Sequence, residues 1–301
     1  MGIGPKNLVR IQDLCDQGVL PPNAAILELG AQEIYCAGAE KVVADFARYF
    51  AGRKQARWGA KELSSDEISA LAKQGFSARL FRSCGFKYKA LDIFDGDSVM
   101  LFDLNIQNAP EDMIGQFDLV TNFGTTEHLI NQLLAMRTIH DFAKPGGVIY
   151  HDLPLGGYHT HGYFSYNPMF FQHLAQANEY EILYHAYSRN SVESRAPEFM
   201  TRHGYSASGW IDCGIEFVLR KTADRPFRMP LETGTSLGLN SEVWKGDDPY
   251  GRRLGEHTPA DAAEGQLQNV SGWELQKELL KRYRRRFLRI AGLSKSQGKP
   301  G

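Results

Sequence analysis

The chain has 301 residues, of which 34 are basic and 35 acidic, for a net charge of -1, and 43% are hydrophobic. That is ample apolar material for an α/β core, and the even charge balance gives no general electrostatic reason to expect nucleic acid as a partner. Cys15, Cys36, Cys84 and Cys213 are dispersed without a Cys-x-x-Cys pair, which argues against a zinc cluster or a redox motif and fits separate thiols in a reducing compartment.

The N-terminus lacks a charged start followed by an apolar run, and nowhere do about 18 apolar residues occur together, so a soluble cytoplasmic protein is expected. An amphipathic helix is predicted over 7–17, and Pro21-Pro22 then breaks the chain. Next, Ala24-Ala25-Ile26-Leu27-Glu28-Leu29-Gly30 runs from an apolar stretch without alternation into an acidic residue and a glycine turn. This is the pattern of a strand covered on both faces that turns sharply at a ligand crevice. A helix over 39–50 places Val42, Val43, Phe46 and Phe50 on one face. The stretch 52–65 is polar and basic, and two short helices near 66–73 and 77–84 follow. Gly30 and Asp92 lie 62 positions apart, whereas a minimal dinucleotide fold needs about 20, so an insertion is expected at about 51–85.

From 86 to 220 strands alternate with helical segments, at 87–92, 98–103, 117–122, 147–151, 180–187 and 213–220. The helix over 127–142 ends in the stop signal Lys144-Pro145-Gly146-Gly147. Between the last two strands, 188–211 has no room for a helical crossover, which favours an antiparallel edge hairpin. The fold class is therefore α/β, a doubly wound, mostly parallel, seven-stranded sheet with an antiparallel edge hairpin and a helical C-terminal extension. The domain plan is an N-terminal helix in 1–22, a main domain over 23–220, an irregular linker over 221–270, and a basic amphipathic helix and tail over 271–301. Leu275, Leu279, Tyr283, Phe287 and Ile290 form one side of that last helix, while Lys277, Lys281, Arg282, Arg284, Arg285, Arg286 and Arg289 give it a strong positive field. Its possible docking surfaces are the body of the protein, another subunit of a homo-oligomer, or an anionic surface.

In an open parallel sheet the strand C-termini line one crevice, so Glu28, Asp92, Asp103 and Asn122 should converge. Five segments in chain order resemble class I S-adenosylmethionine-dependent methyltransferases: Ile26-Leu27-Glu28-Leu29-Gly30, Ala90-Leu91-Asp92, Leu101-Phe102-Asp103-Leu104, Phe117-Asp118-Leu119-Val120 with Thr125-Thr126-Glu127-His128-Leu129, and Lys144-Pro145-Gly146-Gly147. The resemblance spans about 23–220 and implies a Rossmann-like methyltransferase with S-adenosylmethionine as cofactor. On it, Asp92 accepts hydrogen bonds from both ribose hydroxyls, and Glu28 holds the methionine ammonium directly or through water. The amides after Gly30, through Gln32, approach the amino-acid part. Asp103 lies near the adenine amino group, Leu104 supplies a face for the ring, and Asn122, Phe123 and Gly124 form the floor beside the sulfonium. The chain departs from the family in reading Ala31-Gln32-Glu33 where further glycines are common, which crowds the loop. The segment from His161 to Phe171 also resembles methyltransferases among sugar- and polysaccharide-modifying enzymes. A nicotinamide dinucleotide is the nearest rival ligand, but positions 30, 32 and 35 read Gly, Gln and Tyr, leaving no cradle for a pyrophosphate.

A hydroxyl acceptor needs a proton acceptor, and histidine titrates near working pH. His128, His151, His159 and His161 fall at strand ends or loops. His161 and His128 rank first as catalytic candidates, with Asp152 as an orienting or ligand residue after strand five, against the plainer alternative of packing or capping side chains. His151, Asp152, His159 and His161 fit no strong metal-ligand spacing, so no metal is expected. Phe170, Phe171 and Leu174 are expected in the core of a helix capped by Asn167, leaving Tyr163 and Tyr166 open to an acceptor. The expected function is O-methylation of a small-molecule or carbohydrate acceptor. The alternative is a non-catalytic protein that binds S-adenosylmethionine or a nucleoside in assembly with a partner.

Overall fold

The computed structural model describes residues 2–34, 38–158, 160–189, 192–194, 205–206, 209–210 and 212–231. The strands are β1 (Ala25–Leu29), β2 (Lys87–Asp92), β3 (Val99–Leu101), β4 (Phe117–Phe123), β5 (Ala143–Gly156), β6 (Tyr180–Arg189), β7 (Val192–Ser194), β8 (Tyr205–Ser206), β9 (Gly209–Trp210) and β10 (Cys213–Lys221). Eight of them form one sheet in the order β3-β2-β1-β4-β5-β10-β6-β7, while β8 and β9 pair separately. The first five are parallel to their neighbours, and β10 is antiparallel to both β5 and β6. The chain reverses its direction of travel across the sheet between β1 and β4, which opens a ligand crevice at their C-terminal ends.

The seven expected strands are all present, together with the three-residue β7. The antiparallel pair of β6 and β10 also exists, but β10 lies inside the sheet and the edge hairpin is β6 with β7. Burial explains the order: nearly every residue of β10 is buried, which an edge strand would not allow. Alternation along β1 feeds two cores. Ile26 packs with Phe46, Phe50, Trp58 and Phe81 on one face, and Leu27 and Leu29 pack with Phe102, Phe142 and Phe171 on the other.

On the first face lie α1 (Pro5–Asp16), whose Leu8, Ile11 and Leu14 are buried, and α2 (Ala39–Trp58). The latter runs eight residues beyond the expected end at 50 because Trp58 anchors its last turn, its ring 5.2 Å from those of both Phe50 and Phe86. The segment expected as an insertion comprises the end of α2, then α3 (Ser65–Gln74) and α4 (Ser77–Ser83). A reciprocal capping box starts α3: Ser64 Oγ accepts from Glu67 N at 3.3 Å and Glu67 Oε2 from Ser64 N at 2.9 Å.

The helix expected over 127–142 begins later, as α5 (Gln132–Phe142), because Asn131 caps it and Thr126–His128 form a separate 3-10 turn. Opposite β4, the register of β5 jumps from Phe117↔Ala143 to Leu119↔Val148, so the Lys-Pro-Gly-Gly segment bulges out of the strand as a turn. Asn167 caps α6 (Pro168–Ala177), as expected. The first part of the expected linker is tied to this body, since Asn178 Nδ2 donates to Arg228 O and Arg228 N to Asn178 Oδ1, at 2.9 and 2.7 Å. The remainder of that linker and the basic C-terminal helix lie outside the described residues. Among those described, no helix is long and apolar enough to cross a membrane.

Candidate active site

The loop after β1 is held shut by side chains rather than by extra glycines. Gly30 has φ +73°, and a Cβ there would lie 3.0 Å from Gln32 Nε2 and 3.1 Å from Thr125 Oγ1. Only glycine meets both demands. Glu28 lies fully buried under this loop and accepts at Oε2 from Gln32 N, Ser77 Oγ and Tyr88 OH at 3.0, 2.6 and 2.5 Å. It therefore acts on the loop first, although its Oε1 and the neighbouring Gln32 Oε1 have no hydrogen-bond partner among the described residues. Burial pushes the Glu28 carboxyl up to about 7 against three hydrogen bonds that lower it.

That shift has a testable sign. A carboxyl raised in the fold favours folding fully below its ordinary value near 4.5, and the contribution is lost as pH rises through about 7. Glu28→Gln should flatten the fall in stability across that window, where Glu28 accounts for about 3 kcal/mol. Urea unfolding at stepped pH checks this, and an unchanged pH profile would count against a buried, raised carboxyl.

Asp92, at the end of β2, is partly exposed and accepts from Ala31 N at 2.9 Å and Phe94 N at 3.1 Å. Each of its two oxygens accepts a single bond from these amides and so keeps a lone pair for a further donor. Ile93 and Phe94 follow it and are 64% and 74% exposed. Sequence reasoning passed over these two, although apolar residues straight after an acidic strand end are a readable signal for a flat ligand. Past β3, Asp103 Oδ1 accepts from Asn105 N at 2.8 Å, while Leu104 is buried. Leu101 and Ile106 are exposed on either side of them.

The expected floor divides in two. Asn122 is buried and turned inward: its Nδ2 donates to Thr126 Oγ1 at 2.9 Å and lies 3.0 Å from His151 Nδ1, and its Oδ1 accepts from Thr126 N at 3.2 Å. The Phe123 ring packs 4.7 Å from that of Tyr150. Gly124 (φ +69°) carries the backbone onward, and Thr125 Oγ1 then donates to Leu29 O at 2.5 Å. With the side chains of Asn122 and Phe123 both engaged, only the backbone of Phe123 and Gly124 is left for the floor that the resemblance implies.

The structure brings two of the three catalytic candidates together. The rings of His128 and His161 lie 4.6 Å apart, and their Nε2 atoms lie 3.8 and 3.6 Å from Glu127 Oε1. Asp152 is elsewhere: its carboxylate accepts from Lys6 Nζ at 2.7 Å and Asn7 Nδ2 at 2.8 Å, which pins α1 instead of orienting His161. The physical reason is strand alternation, because Asp152 shares the α1 face of β5 with Tyr150 while His151 points to Phe171 on the other. His159 lies outside the described residues. Burial lowers both His128 and His161 from the usual imidazole value, and it pushes Glu127 up to about 7, with the charge of Asp152 adding to the rise. Tyr166, left open by the sequence, is buried, with its hydroxyl 2.8 Å from both Thr126 Oγ1 and Gln132 Oε1. Tyr163 is exposed.

These side chains suit S-adenosylmethionine. Partnerless buried oxygens on Glu28 and Gln32 fit a cationic amino group, Asp92 fits a diol, and the exposed Ile93 and Phe94 fit an aromatic base, whereas Leu104, expected to face the ring, is packed in the core. Over residues 21–198 the chain matches the family described as Methyltransferase domain. The match covers more than half of the sequence, and the chain belongs to that family: it is an S-adenosylmethionine-dependent methyltransferase with a Rossmann-like α/β fold. No curated protein matches it. Among solved structures it is similar to the Burkholderia thailandensis 1,6-didemethyltoxoflavin-N1-methyltransferase, with 12% identity over 73% of this chain and 78% of that one and a TM-score of 0.38. It is also similar to a Galdieria sulphuraria protein assigned as a sarcosine dimethylglycine methyltransferase, with 15% identity over 72% and 85% and a TM-score of 0.41. The strand order, not these distant likenesses, defines the fold.

Proposed function

We propose that this enzyme methylates a hydroxyl oxygen of a small-molecule or carbohydrate acceptor in the cytoplasm. When bound, S-adenosylmethionine supplies a methyl group already activated by its sulfonium, so the protein's tasks are alignment and exclusion of water, worth roughly 7 to 11 kcal/mol in favourable cases. Glu28 and Gln32 would hold the amino-acid end, Asp92 the ribose, and Ile93, Phe94 and Asp103 the adenine. The observation that carries the acceptor reading is the pair of imidazoles, rings 4.6 Å apart, of which His128 stands three residues beyond the Thr125 that touches the cofactor loop. Both are held below the ordinary imidazole value and so are neutral, ready to take a hydroxyl proton near pH 7. Exposed Tyr163 offers a stacking face, and the resemblance of 161–171 to sugar-modifying enzymes supports a carbohydrate. The buried thiol of Cys84 fits a reducing compartment.

The test is calorimetric titration with S-adenosylmethionine and its demethylated product, followed by labelled methyl transfer to a panel of hydroxyl, amine and thiol acceptors. Heat of binding with transfer to hydroxyls, lost in His161→Ala, is expected. Binding without turnover on any acceptor would support the non-catalytic alternative, and transfer to amines or thiols alone would overturn oxygen as the target.

A further inference from the structure

Glu127 presents an unmet demand. Its side chain is 0% exposed, and neither carboxylate oxygen has a hydrogen-bond partner among the described residues. A buried carboxyl in that state is costly unless a proton or a cation answers it. The Nε2 atom of His161 is likewise enclosed and without a hydrogen-bond partner among the described residues. One ligand atom from each of Glu127, His128 and His161 lies within 4.8 Å of the others, with imidazole–carboxylate separations of 3.6 and 3.8 Å. Those separations exceed a hydrogen bond but are close to the edges of about 3.4 Å in a tetrahedron of ligands with bonds near 2.1 Å.

We infer that Glu127, His128 and His161 form a binding site for one divalent first-row transition ion of the zinc class. Two imidazoles and one carboxylate suit zinc, iron, cobalt or nickel, whereas magnesium and calcium favour oxygen-only ligand sets. The trio is held by two segments fixed to each other. Tyr163 N and Phe164 N donate to Glu127 O at 2.7 and 3.1 Å, bringing the His161 loop onto the turn that carries Glu127 and His128. Gly162 permits this contact: it has φ +72°, and a Cβ there would stand 2.8 Å from Glu127 Cγ. From below, Gln132 Nε2 donates to Thr126 O at 2.6 Å and to Leu129 O at 2.7 Å, which fixes the turn itself. Three protein ligands leave a coordination position open for an oxygen of the acceptor, and with the ion bound His128 and His161 are its ligands, so the proton-accepting role given to them above belongs to the ion-free site. This consequence for the acceptor rests on the oxygen-methylation reading above, but ion binding does not.

The test uses the full-length, untagged protein freed of metal by chelation and titrated with cobalt(II), whose visible absorption reports coordination. One cobalt per chain, displaced by zinc but not by magnesium at the same concentration, is expected. His128→Ala, at an exposed position that leaves the core intact, and Glu127→Gln should each weaken binding by about tenfold or more. No cobalt spectrum, equal displacement by magnesium, or unchanged affinity in His128→Ala and Glu127→Gln would overturn the site. Cobalt binding without heat from S-adenosylmethionine would sink only the methyl-transfer reading. Hydroxyl methylation by a protein that binds no cobalt would sink only the metal site.

Discussion

Asp92→Ala is expected to weaken S-adenosylmethionine binding by about ten- to a hundredfold, the equivalent of the 1.5 to 3 kcal/mol typical of charge-assisted hydrogen bonds. The residue braces the β1 loop through Ala31 N, a duty distinct from the cofactor contact proposed for it. Asp92→Asn separates the two. The amide oxygen still accepts from Ala31 N, so the β1 loop keeps its brace, while the acceptor for Phe94 N and the charge available to the proposed ribose contact are gone. A large loss in Asp92→Ala with a smaller but clear loss in Asp92→Asn marks direct contact. Equal affinity for wild type and both variants by calorimetry would remove Asp92 from the site.

Gly85→Ala is expected to give the largest loss of stability, about 3 kcal/mol or more. Gly85 has φ +87°, and a Cβ there would stand 1.7 Å from the carbonyl oxygen of Trp58. The end of α2 and the entry to β2 therefore cross with no room for a methyl group, and one must move. Gly18→Ala is the internal control: at φ +73° it carries similar backbone strain, but a Cβ there meets nothing within 4 Å, so about 1 kcal/mol is expected from the dihedral alone. Urea unfolding of the two variants gives the comparison. Equal losses would show that the close crossing is not real.

The strands were legible wherever burial leaves a pattern. Ile26, Leu27 and Leu29 face two cores, so β1 reads as an apolar run interrupted only by Glu28; β4 and β10 are likewise mostly apolar and buried, while β2 shows its buried Ala90 and Leu91 only at its end, before Asp92. Which strand neighbours β10 was not legible, because local sequence says that a strand is buried and not between which partners. The true end of α2 was missed for a related reason: the largely polar and basic sequence from 52 to 57 hid the apolar anchor at Trp58. In the site, the acidic strand ends stood out, but their orientation did not. Asp152 and His151 are adjacent in sequence and point to opposite faces of β5, a difference of one residue in register that composition cannot reveal. Glu127 was seen as part of a motif. That its carboxylate would be enclosed beside two imidazoles depends on a loop some thirty residues downstream folding back at Gly162.

The place of β10 between β5 and β6 also governs the order of assembly. A nascent chain that has emerged only as far as residue 200 holds every element of the cofactor crevice, yet the outer edge of β5 lacks its partner and β6 has nothing to join. Final closure must wait for 213–221, the last strand among the described residues, to slide into the gap and pair on both sides at once. Until then an unpaired apolar edge is open to aggregation or to a chaperone.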